Sequence, residues 1–513
     1  MPLKSENNKK IVKNTLALYF RQIITMIVAL FTSRIVLQTL GVTDYGINNV
    51  VGGVVAMFGF ISGTLMGITQ RFISVELGKG GDIYILRKIF STSMVLHIVA
   101  AFVVIILAET VGLWFLNSKL VIPAERMSAA NWVYQFTIFG FVLTLLNAPL
   151  TALIISHEDM HIYGYMGIFD VIVRLVMVYL LVIINADKLI FYALFGFAVS
   201  CLVWFFYFIY CRGKYQEAKF SFVYDKLLAK ELGGFGGYTI LNNFFVILIL
   251  QGTNIMLNIF FGPAINTAKG LANSVSSALS SFGSNFRVTL SPQITMTYAA
   301  NNMDAMWNLV ERGTRLFYFL FFIFSIPVLL ETEFILKIWL KNVPEYTAIF
   351  SKLIIIHALT GLFLSTFVSV VDASGKLKIF YCLSYISFIL TLIFSYIICK
   401  MGYTPEYVFV VQILIGLIYY PIQFGFAKKI YGFPVMFFIK KALIPIFFVS
   451  VISFLPFYFL HKLLSRSVIN SLVIIITSIL WTGFIIIFIG LTKNERIKIF
   501  DFLKREYIFK KKK

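Results

Sequence analysis

Residues 468–491, VINSLVIIITSILWTGFIIIFIGL, run their whole length without a charged side chain. At about 1.5 Å per residue, a helix of that length outspans the roughly 30 Å hydrocarbon core of a bilayer. The same pattern recurs back along the chain, near 438–460, 405–427, 377–399, 348–370, 315–336, 265–296 and 234–261. Before a basic stretch it recurs near 189–211, 160–185, 130–155, 89–116, 46–70 and 11–38. Of 513 residues, 59% are hydrophobic and only 13% charged, where a soluble chain carries about a quarter charged. The expectation is an all-α polytopic membrane protein of about 14 transmembrane helices. A soluble enzyme, a disulfide scaffold, a nucleic-acid-binding domain and a disordered chain are all excluded.

The formal charge is +21. Lys and Arg gather at the ends of apolar segments and in the tail Lys510–Lys513, not along one amphipathic face. That placement argues against a nucleic-acid partner and for topology and anionic headgroups. An even number of spans puts both termini on one side. Loops on that side hold roughly three times as many Lys and Arg as the opposite loops, which places the termini in the cytoplasm. The first stretch carries Arg21 inside it and lacks a small-residue cleavage site, so it reads as a spanning helix rather than a removable signal. Cys201, Cys211, Cys382 and Cys399 lie in or beside apolar segments without metal-ligand spacing, as small hydrophobes do. No metal and no cofactor are expected. There is no Walker A sequence, so any pumping uses an ion gradient, the membrane potential or the substrate's own gradient. With short loops throughout, no separate catalytic domain is expected, and the chain reads as a transporter rather than an enzyme.

The longest connection, about 212–233, is basic (Arg212, Lys214, Lys219, Lys226, Lys230) and follows six helices. The two sides of it echo each other. After Gly41 comes a small-residue helix leaving through Gln70-Arg71; after Gly262 another leaves through Pro292-Gln293, at an offset of about 221 residues. Two six-helix lobes in parallel repeat are a transporter signature, with the site expected where they meet. The expected division is 1–216 for the N-terminal lobe and 217–430 for the C-terminal lobe. Residues 431–513 then hold two further helices and a basic cytoplasmic tail.

Charge inside a spanning helix is costly and marks candidate sites. Arg21 lies ten residues into the first helix, about 15 Å from its end. Asn14, Arg21, Thr25 and Thr32 share one narrow sector at about 100° per residue, as a wall of a wet cavity would. Arg287 sits at similar depth in the eighth helix, and guanidinium groups pair bidentately with phosphate. The alternative for each is snorkelling or bonding to helix carbonyls. Lys269, eighteen residues before Arg287, lies on the same face and extends a cationic path or ends at the interface. Asp170 and Arg174 form an i, i+4 pair, either a structural bridge or, at Asp170, a coupling switch. Asn242, Gln251 and Asn254 in the seventh helix and Asn285 in the eighth suit sugar hydroxyls, and equally suit close helix packing. The run His157-Glu158-Asp159-Met160-His161 matches the H-E-x-x-H zinc pattern. It occupies a short inter-helix turn and lacks an evident third ligand, so it reads as a polar turn.

The stretch Leu40-Gly41-Val42-Thr43-Asp44-Tyr45-Gly46-Ile47, running on to Gln70-Arg71-Phe72, resembles the first-loop signature of polysaccharide flippases in the multidrug/oligosaccharidyl-lipid/polysaccharide exporter superfamily. Ser291-Pro292-Gln293-Ile294-Thr295 with Tyr298-Ala299-Ala300 resembles the exit of their eighth helix. The resemblance implies an O-antigen-type (Wzx-like) flippase of a bacterial inner membrane. It would move undecaprenyl-diphosphate-linked oligosaccharide to the outer leaflet by alternating access through a cationic cavity between lobes. Arg21 and Arg287 would contact the diphosphate, and glycan polymerase machinery would be a further partner. Related drug exporters depend on acidic residues in the first helix, which this first helix lacks. A membrane glycan polymerase or ligase, and a cation-coupled small-molecule exporter, are the alternatives.

Overall fold

The computed structural model describes the backbone of residues 2–219, 225, 228, 237–465 and 467–497. It describes their side chains except those of 2–21, 23, 237–240, 242, 282–289, 292 and 377. Every regular element among the described residues is helical. Twelve helices there are long and apolar enough to cross a membrane, and the protein is a multi-pass membrane protein. The expected count of fourteen also takes in α2 (Gly59–Lys79) and α9 (Pro263–Ala299), whose polar residues lower their mean hydropathy.

The first helix, α1, spans Pro2–Ala56 and bends at Gly41, whose φ of 79° only glycine adopts without steric cost. The expected single segment 46–70 is therefore corrected: its first part completes α1, and the chain breaks at Met57-Phe58 before α2. There the amides turn back to carbonyls three residues earlier, Phe58 to Val55 at 3.1 Å. After α3 (Ile83–Leu107) and α4 (Leu113–Lys119) come α5 (Met127–Ser156), α6 (Met160–Ile183) and α7 (Lys188–Lys214). Then α8 (Gly237–Phe261) and α9 follow, parted by Gly262 at φ 80°. Gly41 and Gly262 are the two glycines that the echo in the sequence aligns, and both take positive φ, 79° and 80°.

The helices continue as α10 (Met303–Leu330), α11 (Thr332–Leu340), α12 (Thr347–Gly361), α13 (Phe367–Ser374), α14 (Leu377–Lys400), α15 (Tyr407–Tyr431), α16 (Val435–Phe438), α17 (Ile444–Leu463) and α18 (Val468–Ile485). The expected segment 348–370 is also broken, between α12 and α13. A tight turn at Leu362–Leu364 parts them, and just after it the Thr366 hydroxyl donates to the Val310 carbonyl of α10 at 3.1 Å and pairs with the Thr314 hydroxyl. The expected segment 315–336 ends earlier, at Leu330, and α11 begins two residues later at Thr332.

The chain folds as two compact units. Unit 1 takes in residues 1–271, 344–347 and 388–408; unit 2 takes in 272–343, 348–387 and 409–513. In unit 1, Ile47, Val50, Val51 and Val54 form a one-sided stripe on α1. They pack on Ala129, Ala130, Val133 and Tyr134 of α5 and Leu189 and Ala193 of α7. A second core joins Ile73, Ile89, Phe90, Leu153, Ile154 and Cys211. In unit 2 an aromatic core of Trp307, Phe367, Phe424, Phe433 and Phe438 binds α10, α13, α15 and α16. Apolar side chains also face outward, Ile183 at 75% exposure among them, as lipid-facing helices require.

One ionic cluster is buried in unit 2. Arg315, 2% exposed, grips the Glu495 carboxylate at 2.7 and 2.9 Å and reaches Glu311 at 3.2 Å. Arg312 adds a bond to Glu495 at 2.6 Å, and the amide and hydroxyl of Thr492 donate to the same carboxylate at 2.9 and 2.8 Å. Burial pushes Glu495 up, but these hydrogen bonds and the arginines outweigh it and hold the acid below its usual range.

Candidate functional site

The motif after Gly41 owes its residues to contacts at one end of unit 1. Asp44 receives two hydrogen bonds from Arg126, at 2.9 and 2.6 Å, and Arg126 gives two more to Asp187 at 2.7 and 3.1 Å. Asp187 also caps α7 through the Leu189 amide at 3.0 Å. Burial pushes Asp187 up, yet the Arg126 and amide bonds outweigh it and leave its carboxyl below the usual range. The trio ties α1, α5 and α7 together just past the hinge. Its members are 82 and 61 residues apart in the chain, and sequence reasoning missed Arg126 and Asp187. Replacing Arg126 with glutamine should cost about 1–2 kcal/mol, the worth of charged hydrogen bonds discounted for partial exposure. A lowered melting temperature of the purified protein checks it.

Beside that trio, α1 meets α8 and α9. The site of a Cβ on Gly46 overlaps the Pro263 carbonyl oxygen and lies 2.9 Å from the Thr267 hydroxyl. Thr267 donates to the Val42 carbonyl at 2.6 Å. At the next level Gly270 is covered by the Asn49 amide. Gly46 with Thr267, and Asn49 with Gly270, are pairs set 221 residues apart, so each residue touches its own counterpart in the repeat. Of the expected site residues, Gln251 and Asn254 lie against Gly53, 2.7 and 2.9 Å from where its Cβ would stand. Asn254 donates to the Asn49 carbonyl at 3.2 Å and accepts from Asn266 at 2.9 Å. Lys269, 5% exposed, donates to the Leu250 carbonyl at 2.9 Å. All three are engaged in this close packing.

A cavity of about 360 Å³ opens within unit 1 among α1, α5, α6 and α7. Its wall carries Arg174, Tyr192, Asn48 and the hydroxyls of Thr32, Thr137, Thr144 and Ser200, with Phe136, Phe141 and Phe197. No residue on the wall is acidic among those described. Asp170 accepts from Arg174 Nε at 3.0 Å, the i, i+4 pair expected from their spacing. Thr32, at the end of the polar stripe on α1, lies on the wall. Thr25, earlier on the stripe, bonds the Gln22 carbonyl at 3.0 Å. The side chains of Asn14, Arg21, Asn242, Asn285 and Arg287 lie outside the described residues.

The H-E-x-x-H run straddles the turn between α5 and α6, so its two histidines do not share a helical turn. His157 pairs with Glu217 at 2.5 Å and stacks on Tyr215 at 4.5 Å. Asp159 accepts from Lys214 at 2.7 Å and Tyr215 at 2.5 Å. These contacts clasp the α5–α6 turn to the end of α7.

No family model and no curated relative matches the sequence. Solved structures do match. The lipid II flippase MurJ in an inward-closed conformation superposes with a TM-score of 0.63 at 15% identity, covering 92% of this chain and 98% of that one. The MATE multidrug transporter DinF-BH gives a TM-score of 0.60 at 13% identity, covering 82% and 95%. A MOP superfamily transporter from Pyrococcus furiosus gives 0.56 at 11%, covering 81% and 95%. The chain has the fold shared by MurJ and the MOP-superfamily transporters.

Proposed function

We propose that the protein is a flippase for polyprenyl-diphosphate-linked oligosaccharide, with undecaprenyl as the carrier. It would act by alternating access, in a bacterial inner membrane with both termini cytoplasmic. The observation that carries this is the wall of the unit 1 cavity. Its charge is a guanidinium, its other polar groups are hydroxyls and amides, and the neighbouring carboxylate of Asp170 is tied to Arg174. Such a lining favours anions and sugars over cations. Length supports the same reading: the MATE structure leaves about a fifth of this chain unmatched though nearly covered itself, and MurJ leaves less than a tenth. In this reading the diphosphate enters a wet basic cavity, and Arg21 and Arg287, whose side chains lie outside the described residues, are its proposed contacts. The glycan meets Asn, Ser and Thr side chains, and the polyprenyl tail stays in lipid.

Proteoliposomes loaded with a fluorescent undecaprenyl-diphosphate oligosaccharide test it. Arg21→Ala and Arg287→Ala are each expected to abolish translocation at unchanged membrane abundance; full activity in both variants refutes the assignment. The likeness to a multidrug transporter of the same fold favours a second reading, a small-molecule exporter. Efflux of a cationic dye without lipid translocation would establish that one instead.

A further inference from the structure

A second cavity, of about 260 Å³, lies within unit 2 where α10, α11, α12, α17 and α18 converge. Its frame is a buried acid. Glu331, between α10 and α11, accepts from His461 Nδ1 at 2.7 Å and from the Ser471 hydroxyl at 2.8 Å. Those two partners fix the end of α17 and the first turn of α18 around it. Lys337 of α11 and Lys352 of α12 also line the cavity, with Glu333. The amino end of α18, at Ser467 and Val468, opens on the same space, and helix amino termini favour anions.

The mouth is flanked by apolar groups turned outward: Leu463 at 82% exposure, Val468 at 63% and Ile469 at 73%. In a chain of membrane-spanning helices these side chains meet acyl chains, and lysines at that level meet headgroups. We propose that this cavity binds the phosphate of an anionic phospholipid, gripped by Lys337 and Lys352 while its acyl chains lie over α17 and α18. By the charge-based topology the leaflet is the outer one. The site belongs to the membrane contact of unit 2, not to the cargo, so it stands or falls apart from the flippase reading.

The full-length protein in nanodiscs tests the site, with thermal stability read against phosphatidylglycerol content in phosphatidylcholine. The wild type is expected to gain stability with phosphatidylglycerol. Lys337→Gln and Lys352→Gln should each weaken that apparent affinity about fivefold, and the paired K337R/K352R variant should retain it. The exposed pair Lys428 and Lys429 serves as control for charge alone. Equal weakening in K428Q/K429Q overturns the site, as does stabilisation that ignores headgroup charge. Inorganic phosphate reproducing the full effect in phosphatidylcholine nanodiscs overturns the lipid as its source. The melting temperature of K337Q/K352Q without phosphatidylglycerol, expected to equal wild type, shows that the variant is folded.

Discussion

Replacing Gly46 with leucine should reduce transport to below about a tenth of the wild-type rate while leaving the protein in the membrane. The reason is steric. A Cβ at Gly46 has no room against the Pro263 carbonyl and Thr267, so α1 and α9 must part. Helix backbones held this close yield poorly, and overpacking costs about 1–3 kcal/mol or more. That is enough to shift a two-state contact about tenfold or further toward its separated form. A transporter that cannot re-form one of its closed contacts cannot complete its cycle. The direct measurement is cysteine cross-linking between V42C and T267C, positions joined by a 2.6 Å hydrogen bond, with the four native cysteines replaced. Cross-linking should be efficient with glycine at position 46 and fall about tenfold with leucine. Undiminished cross-linking would show that the helices tolerate the side chain.

The second large effect concerns the buried cluster of unit 2. Glu495→Ala should destabilise the protein by about 3 kcal/mol, because Arg315 would remain charged and buried with only Glu311, at 3.2 Å, left to pair it. The cost comes from the under-paired arginine more than from the lost bonds, so the combined change E495A/R315M/E311Q, which removes all three buried charges, should recover most of it. Unfolding midpoints of the wild type and these two variants measure this. The same carboxylate sets an acid limit. Its folded-state pKa is depressed below the ordinary 4.5, so its contribution is fully present above that value. It is lost as pH falls through the lower folded-state value. The wild type should therefore lose stability in that acid range while E495A changes less.

Much of the fold was legible because hydrocarbon enforces long uniform runs. Segments such as 160–185 and 468–491 match α6 and the region of α18 closely. The hinges were legible too, since the echo of Gly41 in Gly262 is local sequence and both take positive φ. What escaped notice depends on partners distant in the chain. Beside the break before α13, the Thr366 hydroxyl bonds Val310, 56 residues away. The Asp44–Arg126–Asp187 trio spans 82 and 61 residues between bonded members. Nothing near Glu495 announces that two arginines of α10 will enclose it. At the candidate site the i, i+4 spacing exposed the Asp170–Arg174 bridge, and the polar stripe on α1 pointed to Thr32. The amides of Gln251 and Asn254 have the same composition whether they face a sugar or a neighbouring helix, and only packing distinguishes the two.

The self-matching contact at Gly46–Thr267 and Asn49–Gly270 has a historical consequence. An ancestor half as long, pairing with an identical copy, would have met itself across that line with one residue type on both sides. Two small residues facing each other leave a gap, and two large ones collide. Duplication and fusion lift that restriction, because each half then mutates alone. Glycine sits on one side at the first level and on the other side at the next, so each close approach has one partner free to carry a side chain.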